Sequence, residues 1–108
     1  MEFINHIELA GVVGNVRKQK VSDRIVANMT VVTEYCYNDR SGGAVIETTW
    51  HNVVAWQNAK MPELEAIERG SHVNVHGRLR ARRYTDSNGE SHTAYEVIAV
   101  SVRVLPNE

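Results

Sequence analysis

The chain has 108 residues and a formal net charge of −1 at pH 7, with 43% hydrophobic and 23% charged residues. That is the size and balance of one small domain, 1–108, with a single modest core. It excludes a polycationic tail, and no stretch is long and apolar enough to span a bilayer, so no membrane partner is expected. The only cysteine, Cys36, excludes an intrachain disulfide. Together with an N-terminus lacking a basic segment before an apolar run, it points to the cytoplasm.

Strand signals open the chain. From His6 to Val13, apolar Ile7, Leu9 and Val13 alternate with His6 and Glu8, the pattern of a strand with one face buried. Arg24 to Tyr37 is rich in Val, Thr and Tyr, which suit a pleated surface, and Ser41-Gly42-Gly43 breaks it. Glu47 to Gln57 reads as a third strand, with Trp50, Val54 and Trp56 on one face and His51, Val53 and Ala55 on the other.

The period then changes. Pro62 stands where a first helical residue would, Glu63 and Glu65 follow in the first turn, and Leu64 and Ile67 can face one core. Gly70 fits a stop, so the spacing predicts a short helix of about two turns. Beyond it Val73, Val75, Leu79 and Ala81 point one way, while His72, Asn74, His76, Arg78, Arg80, Arg82 and Tyr84 point the other. Ser87-Asn88-Gly89 turns a hairpin. The last strand, Thr93 to Leu105, holds Ile98, Val100, Val102 and Val104 on one side. Tyr95 and Val97 are off that register, so a bulge or burial on both faces is expected there. This order predicts an all-β, five-stranded OB-fold barrel, with one short helix between strands 3 and 4 and an extended hairpin between strands 4 and 5.

Arg78, Arg80, Arg82 and Arg83 crowd into six positions and close on Tyr84, and no acid lies between Arg69 and Tyr84. Guanidinium groups are planar, always charged and multiply donating, which suits phosphates. A plain solvated strand face is the competing reading, and core packing is the competing reading for Trp50 and Trp56. Val53 and Ala55 tip the balance, because they also need burial and a single-layer barrel has one core face. Open aromatics beside arginines make a platform on which bases stack while phosphates meet cations. Catalysis finds no support. His72 and His76 would be about 13 Å apart in a strand, too far to share a metal. Cys36 has no flanking base, and Asp86 and Glu90 read as solvated loop charges. No enzyme, metal or cofactor is expected.

The segments ETTWHNVVAW, GSHVNVHGRLRARRYTDSNG and AYEV, with NHIELAGVVGNV and VANMTVVT before them, resemble the bacterial single-stranded DNA-binding protein family over residues 5–105. The resemblance implies base stacking by Tyr37, Trp50, Trp56 and Tyr84, and phosphate contacts from Lys18, Arg40, Arg69, Arg80, Arg82 and Arg83. It places His51, with Ile7 and Leu9 of the first strand, at a subunit interface of a homotetramer, with a dimer as the alternative. It implies coating of single-stranded DNA in replication, recombination or repair, at the bacterial nucleoid. The alternative function is a dimeric adaptor resembling primosomal replication protein N. Asn52 and Gln57-Asn58 stand where the family often carries basic residues, so fewer phosphate contacts are expected. The sequence ends at Leu105-Pro106-Asn107-Glu108, without the acidic-tipped tail of many members, so recruitment of partners by that route is not expected.

Overall fold

The computed structural model describes residues 1–61 and 64–106. Five strands, β1 (Ile7–Val21), β2 (Arg24–Asn38), β3 (Ala44–Trp56), β4 (His72–Thr85) and β5 (Ser91–Leu105), close into a barrel in the order β1-β2-β3-β5-β4. All neighbours are antiparallel except β3 and β5, which run parallel over Val53–Ala55 and Val97–Ala99. The expected OB-fold barrel and long β4–β5 hairpin are both present. Among the described residues no helix is long and apolar enough to cross a membrane.

Alternation fills the barrel with Leu9, Val13, Ala27, Met29, Val31, Val53, Ala55, Val73 and Val75, all buried. Two bulges change the parity. In β1, Val13 pairs with Val31 and Asn15 with Thr30, so Gly14 is the extra residue and the inward side passes from odd to even positions. In β5, Ser101 faces His76 and Ala99 faces Gly77, leaving Val100 unpaired. Val97, Ala99 and Val102 are therefore buried, whereas Val100 is 49% exposed. The expected bulge exists, but it lies at Val100, and the expectation that Ile98 and Val100 share a side with Val102 and Val104 is corrected.

Gly77 fits the same irregularity. A Cβ there would lie 2.3 Å from the Ile98 carbonyl oxygen. That atom is backbone and cannot swing aside, so Gly77→Ala must open the pairing of β4 with β5. We expect a loss of about 1–3 kcal/mol, the usual range for overpacking. It should appear as a lower urea midpoint with unchanged slope. An unaltered midpoint would show that the hairpin base tolerates a side chain.

One end of the barrel is closed between β3 and β4 by a single 3₁₀ turn, Leu64–Ala66, rather than a two-turn helix. Pro62 and Glu63, expected to start that helix, lie outside the described residues. Met61, Leu64 and Ile67 are all at most 1% exposed. The amides of Leu64 and Ile67 donate to the carbonyls of Met61 and Leu64. Three plugging side chains spaced by three residues line up at 3.0 residues per turn, whereas an α-helix would rotate each by about 60° from the last.

The β2–β3 and β4–β5 hairpins run past the core. In β4 no residue after Gly77 is buried. Each tip is tied by an aspartate. Asp39 Oδ1 accepts from Ser41 Oγ (2.7 Å) and from the amides of Ser41 and Gly43. Asp86 Oδ1 accepts from the amides of Asn88 and Glu90.

Candidate nucleic-acid interface

Directly opposed residues in a sheet share a face, so the strand register decides which side chains meet. Trp50 opposes Val32, Asn52 opposes Thr30, and Val54 opposes Asn28. On β1, Asn15 and Arg17 oppose Thr30 and Asn28. On the other flank Val54 pairs with Ile98, and Ile98 with Arg78. Arg80, Arg82 and Tyr84 continue that row, opposite Glu96, Ala94 and His92. One outer wall thus carries Trp50, Trp56, Tyr84, Arg17, Arg78, Arg80 and Arg82. The indoles are open on it: Trp50 is 59% and Trp56 39% exposed, while Val53 and Ala55 take the core.

Each ring has a defined seat. The indole of Trp50 lies over the β1 bulge, where a Cβ on Gly14 would come within 2.5 Å of its Cζ3. Only a residue without a side chain leaves that space. The Arg24 guanidinium sits 5.5 Å from the Trp56 ring centroid, within cation–π range. Tyr84 stacks on His92, centroids 5.5 Å apart, with the Arg82 guanidinium 5.9 Å from its ring. His92 is held in turn by Asp86 (Nε2 to Oδ2, 2.6 Å). That bond and the turn amides hold the Asp86 carboxyl below its ordinary pKa. Asp86, Glu90 and His92 place one ligand atom each within 4.8 Å of one another. The Asp86 carboxylate thus ties the hairpin tip rather than standing as a loose solvated charge, while the Glu90 side chain is exposed as expected.

Between the wall and the β4–β5 hairpin lies a groove of about 430 Å³, bordered by Arg17, Asn28, Asn52, Arg82 and Glu96. Glu96 is a residue that the sequence pattern did not bring forward. Its Oε1 accepts from Arg80 Nε at 3.1 Å and also from Arg80 Nη2, and lies 3.5 Å from Arg82 Nε. The arginine row is free of acids along β4 but not across to β5. Counting equally outward from Asn88 pairs Arg80 with Glu96, so the turn alone carried that signal.

The remaining expected residues distribute as follows. Tyr37 pairs with Val45 and lies beside Tyr35, rings 6.0 Å apart, on the side of β2 opposite Trp50. Cys36, exposed, holds the parity of Trp50 at that level. Lys18 falls on the inward side after the Gly14 bulge, and its Nζ donates to the Glu65 carbonyl. The β1 cation that reaches the groove is Arg17. Arg83 is on the reverse face of the hairpin with Leu79, Ala81 and Tyr95. Arg40 is at the exposed β2–β3 tip. Arg69 is in the turn before β4, where Gly70 and Ser71 bond to Val13. His51 is half-buried, 2.8 Å from the Thr33 hydroxyl. Burial holds its pKa below the ordinary histidine value. Ile7 packs against the core, and Leu9 is 7% exposed inside it. Neither offers its side chain outward. What β1 does offer is backbone: it bonds to β4 from Ile7, but to β2 only from Val12, so that among the described residues one edge of its first residues is unpaired.

The sequence profile described as "Single-strand binding protein family" matches residues 4–105. The chain belongs to that family. A single-stranded DNA-binding protein of Neisseria meningitidis serogroup A is 31% identical over 80 residues, covering 74% of this chain and 46% of the relative. Single-stranded DNA-binding protein 1 of Chlorobaculum tepidum is 30% identical, covering 94% of this chain and 65% of the relative. The chain therefore spans about half to two thirds of the length of these curated relatives. Among solved structures, the Plasmodium falciparum SSB in complex with ssDNA superposes with a TM-score of 0.86 at 22% identity, covering 98% of both chains. A deletion mutant of the Thermus aquaticus single-stranded DNA-binding protein gives a TM-score of 0.77 at 18% identity, covering 95% of this chain and 51% of that one. These two likenesses show that the barrel fold is shared.

Proposed function

We propose that the protein binds single-stranded DNA without catalysing a reaction on it, coating exposed strands during replication, recombination or repair in the bacterial cytoplasm. The observation that carries this reading is the pair of open indoles, Trp50 and Trp56, on one wall with Arg17, Arg78, Arg80 and Arg82. Bases stack on Trp50, Trp56 and Tyr84, and phosphates meet the arginines. Tyr37, Lys18 and Arg83 point away from this wall, and we assign them no contact in the groove. Membership of the family, and the ssDNA in complex with the Plasmodium falciparum protein, support the same ligand. We further propose that copies associate through the unpaired β1 edge, with His51 near the contact. An edge left with bare N–H and C=O groups recruits a strand.

One experiment addresses both points. Oligo-dT added at low salt quenches tryptophan emission to a saturating end point, while light scattering reports a mass of two or four chains before and after. Unchanged emission at saturating oligo-dT overturns the binding reading, and a mass of one chain overturns association.

A further inference from the structure

The groove beside the tryptophans holds chemistry that stacking and phosphate binding leave unused. The carboxamides of Asn15, Asn28 and Asn52 line it. Among the described residues none of the three makes a side-chain hydrogen bond within the protein, whereas those of Asn5, Asn58 and Asn74 do. Three unengaged amides in one concavity are prepared for a ligand with polar edges. Among the described residues Glu96 is the one acid in the lining, beside Arg17 and Arg82. All its contacts with Arg80 and Arg82 fall on Oε1. Oε2 makes no bond among the described residues, and the side chain, only 12% exposed, borders the groove.

An ionised carboxylate can only accept. A phosphate oxygen has no proton to give it, so what bonds to Oε2 is a base edge, while phosphates meet the guanidinium groups. The carboxylate repels a base that presents a carbonyl where another presents an amino group. Cytosine offers an N4 amino donor followed by two acceptors, N3 and O2, and carboxylates accept from that amino group. The asparagine NH₂ groups can donate to the two acceptors. Uracil has a carbonyl oxygen in place of the amino group, which the carboxylate opposes outright, and N3–H in place of an acceptor, which an asparagine meets only by turning its carboxamide oxygen toward the base. We propose that this groove reads the exocyclic amino group of one base in the bound strand, with Glu96 as the acceptor and Asn28 and Asn52 as donors, favouring cytosine over uracil. The inference rests on the single-strand reading above and adds a compositional preference to it.

The test is competition between oligo-dC and oligo-dU of equal length on the full chain, at mildly alkaline pH so that cytosine N3 stays unprotonated. Comparing these two pyrimidines removes differences in ring size and in the thymine methyl. The expected result is roughly ten- to 150-fold tighter binding of oligo-dC, the range of one hydrogen bond to a charged group. In Glu96→Gln the preference falls toward one, while both oligonucleotides bind more tightly because Arg80 and Arg82 are released. Asn28→Ala with Asn52→Ala lowers the preference without that gain, and serves alone if Glu96→Gln proves misfolded by circular dichroism. Equal affinities in the unaltered protein, or a preference that survives both variants, overturn the inference and leave single-strand binding standing. Failure to bind either oligonucleotide overturns single-strand binding itself, and this inference with it.

Discussion

Changing Trp50 and Trp56 together to alanine lowers the affinity for oligo-dT by on the order of thirty- to ten-thousand-fold and leaves the protein folded. Base–aromatic stacking is worth about 1–3 kcal/mol per base, so two rings supply about 2–6 kcal/mol, at about 1.4 kcal/mol per tenfold in Kd. The fold survives because both side chains are substantially exposed, at 59% and 39%, and because their strand is anchored by Val53 and Ala55 at 1% and 0%. Anisotropy of a labelled oligonucleotide measures the change, since the variant has no tryptophan of its own. Tyr37→Ala is the matched control, an exposed aromatic on the reverse side of its strand, and leaves affinity within a few-fold. A double variant that binds as tightly as the parent, with unchanged circular dichroism, would remove stacking at these positions from the mechanism.

The same contrast shows where the sequence is readable. Alternation over Trp50 to Trp56 identifies the open face of β3, because that strand is regular from Ala44 to Trp56. The strand order and closing hairpin are legible for the same reason. Parity fails wherever a bulge intervenes. Gly14 inserts one residue in β1, so the groove receives Arg17, while Lys18, which the family resemblance put forward, falls on the inward side. Val100 does the same in β5 and turns Val97 and Ala99 inward. Tyr37 stands out as an aromatic at a strand end, but its parity relative to Trp50 depends on where the β2–β3 hairpin turns. Asp39 fixes that turn by accepting from the amides of Ser41 and Gly43. Glu96 escapes a count of charge along one strand, whereas a sheet pairs charge across strands. The 3₁₀ plug needs Met61 to be seen with Leu64 and Ile67 as one row of three.

That cross-strand charge governs how binding responds to salt. Arg17, Arg24, Arg78, Arg80 and Arg82 stand along the wall or beside its rings, and Glu96 cancels part of their sum. Roughly four net charges remain to replace counterions. Single strands give about −0.7 in log K per log salt for each phosphate neutralised, so a slope of roughly −3 is expected, and oligo-dT affinity falls roughly fifty-fold between 50 and 200 mM salt. Removing Glu96 as Glu96→Gln frees its share of Arg80 and Arg82, which steepens the slope by about one phosphate and tightens binding most at low salt. Arg17→Ala makes the slope shallower by about the same amount. Lys18→Ala leaves it unchanged, because the Lys18 ammonium is turned to the Glu65 carbonyl at the closed end of the barrel. Fluorescence titrations at several salt concentrations read all four slopes. A response in which Lys18 counts as much as Arg17 would mean that the strand crosses β1 on its other face, and the wall of open indoles would then be a route the phosphates do not follow.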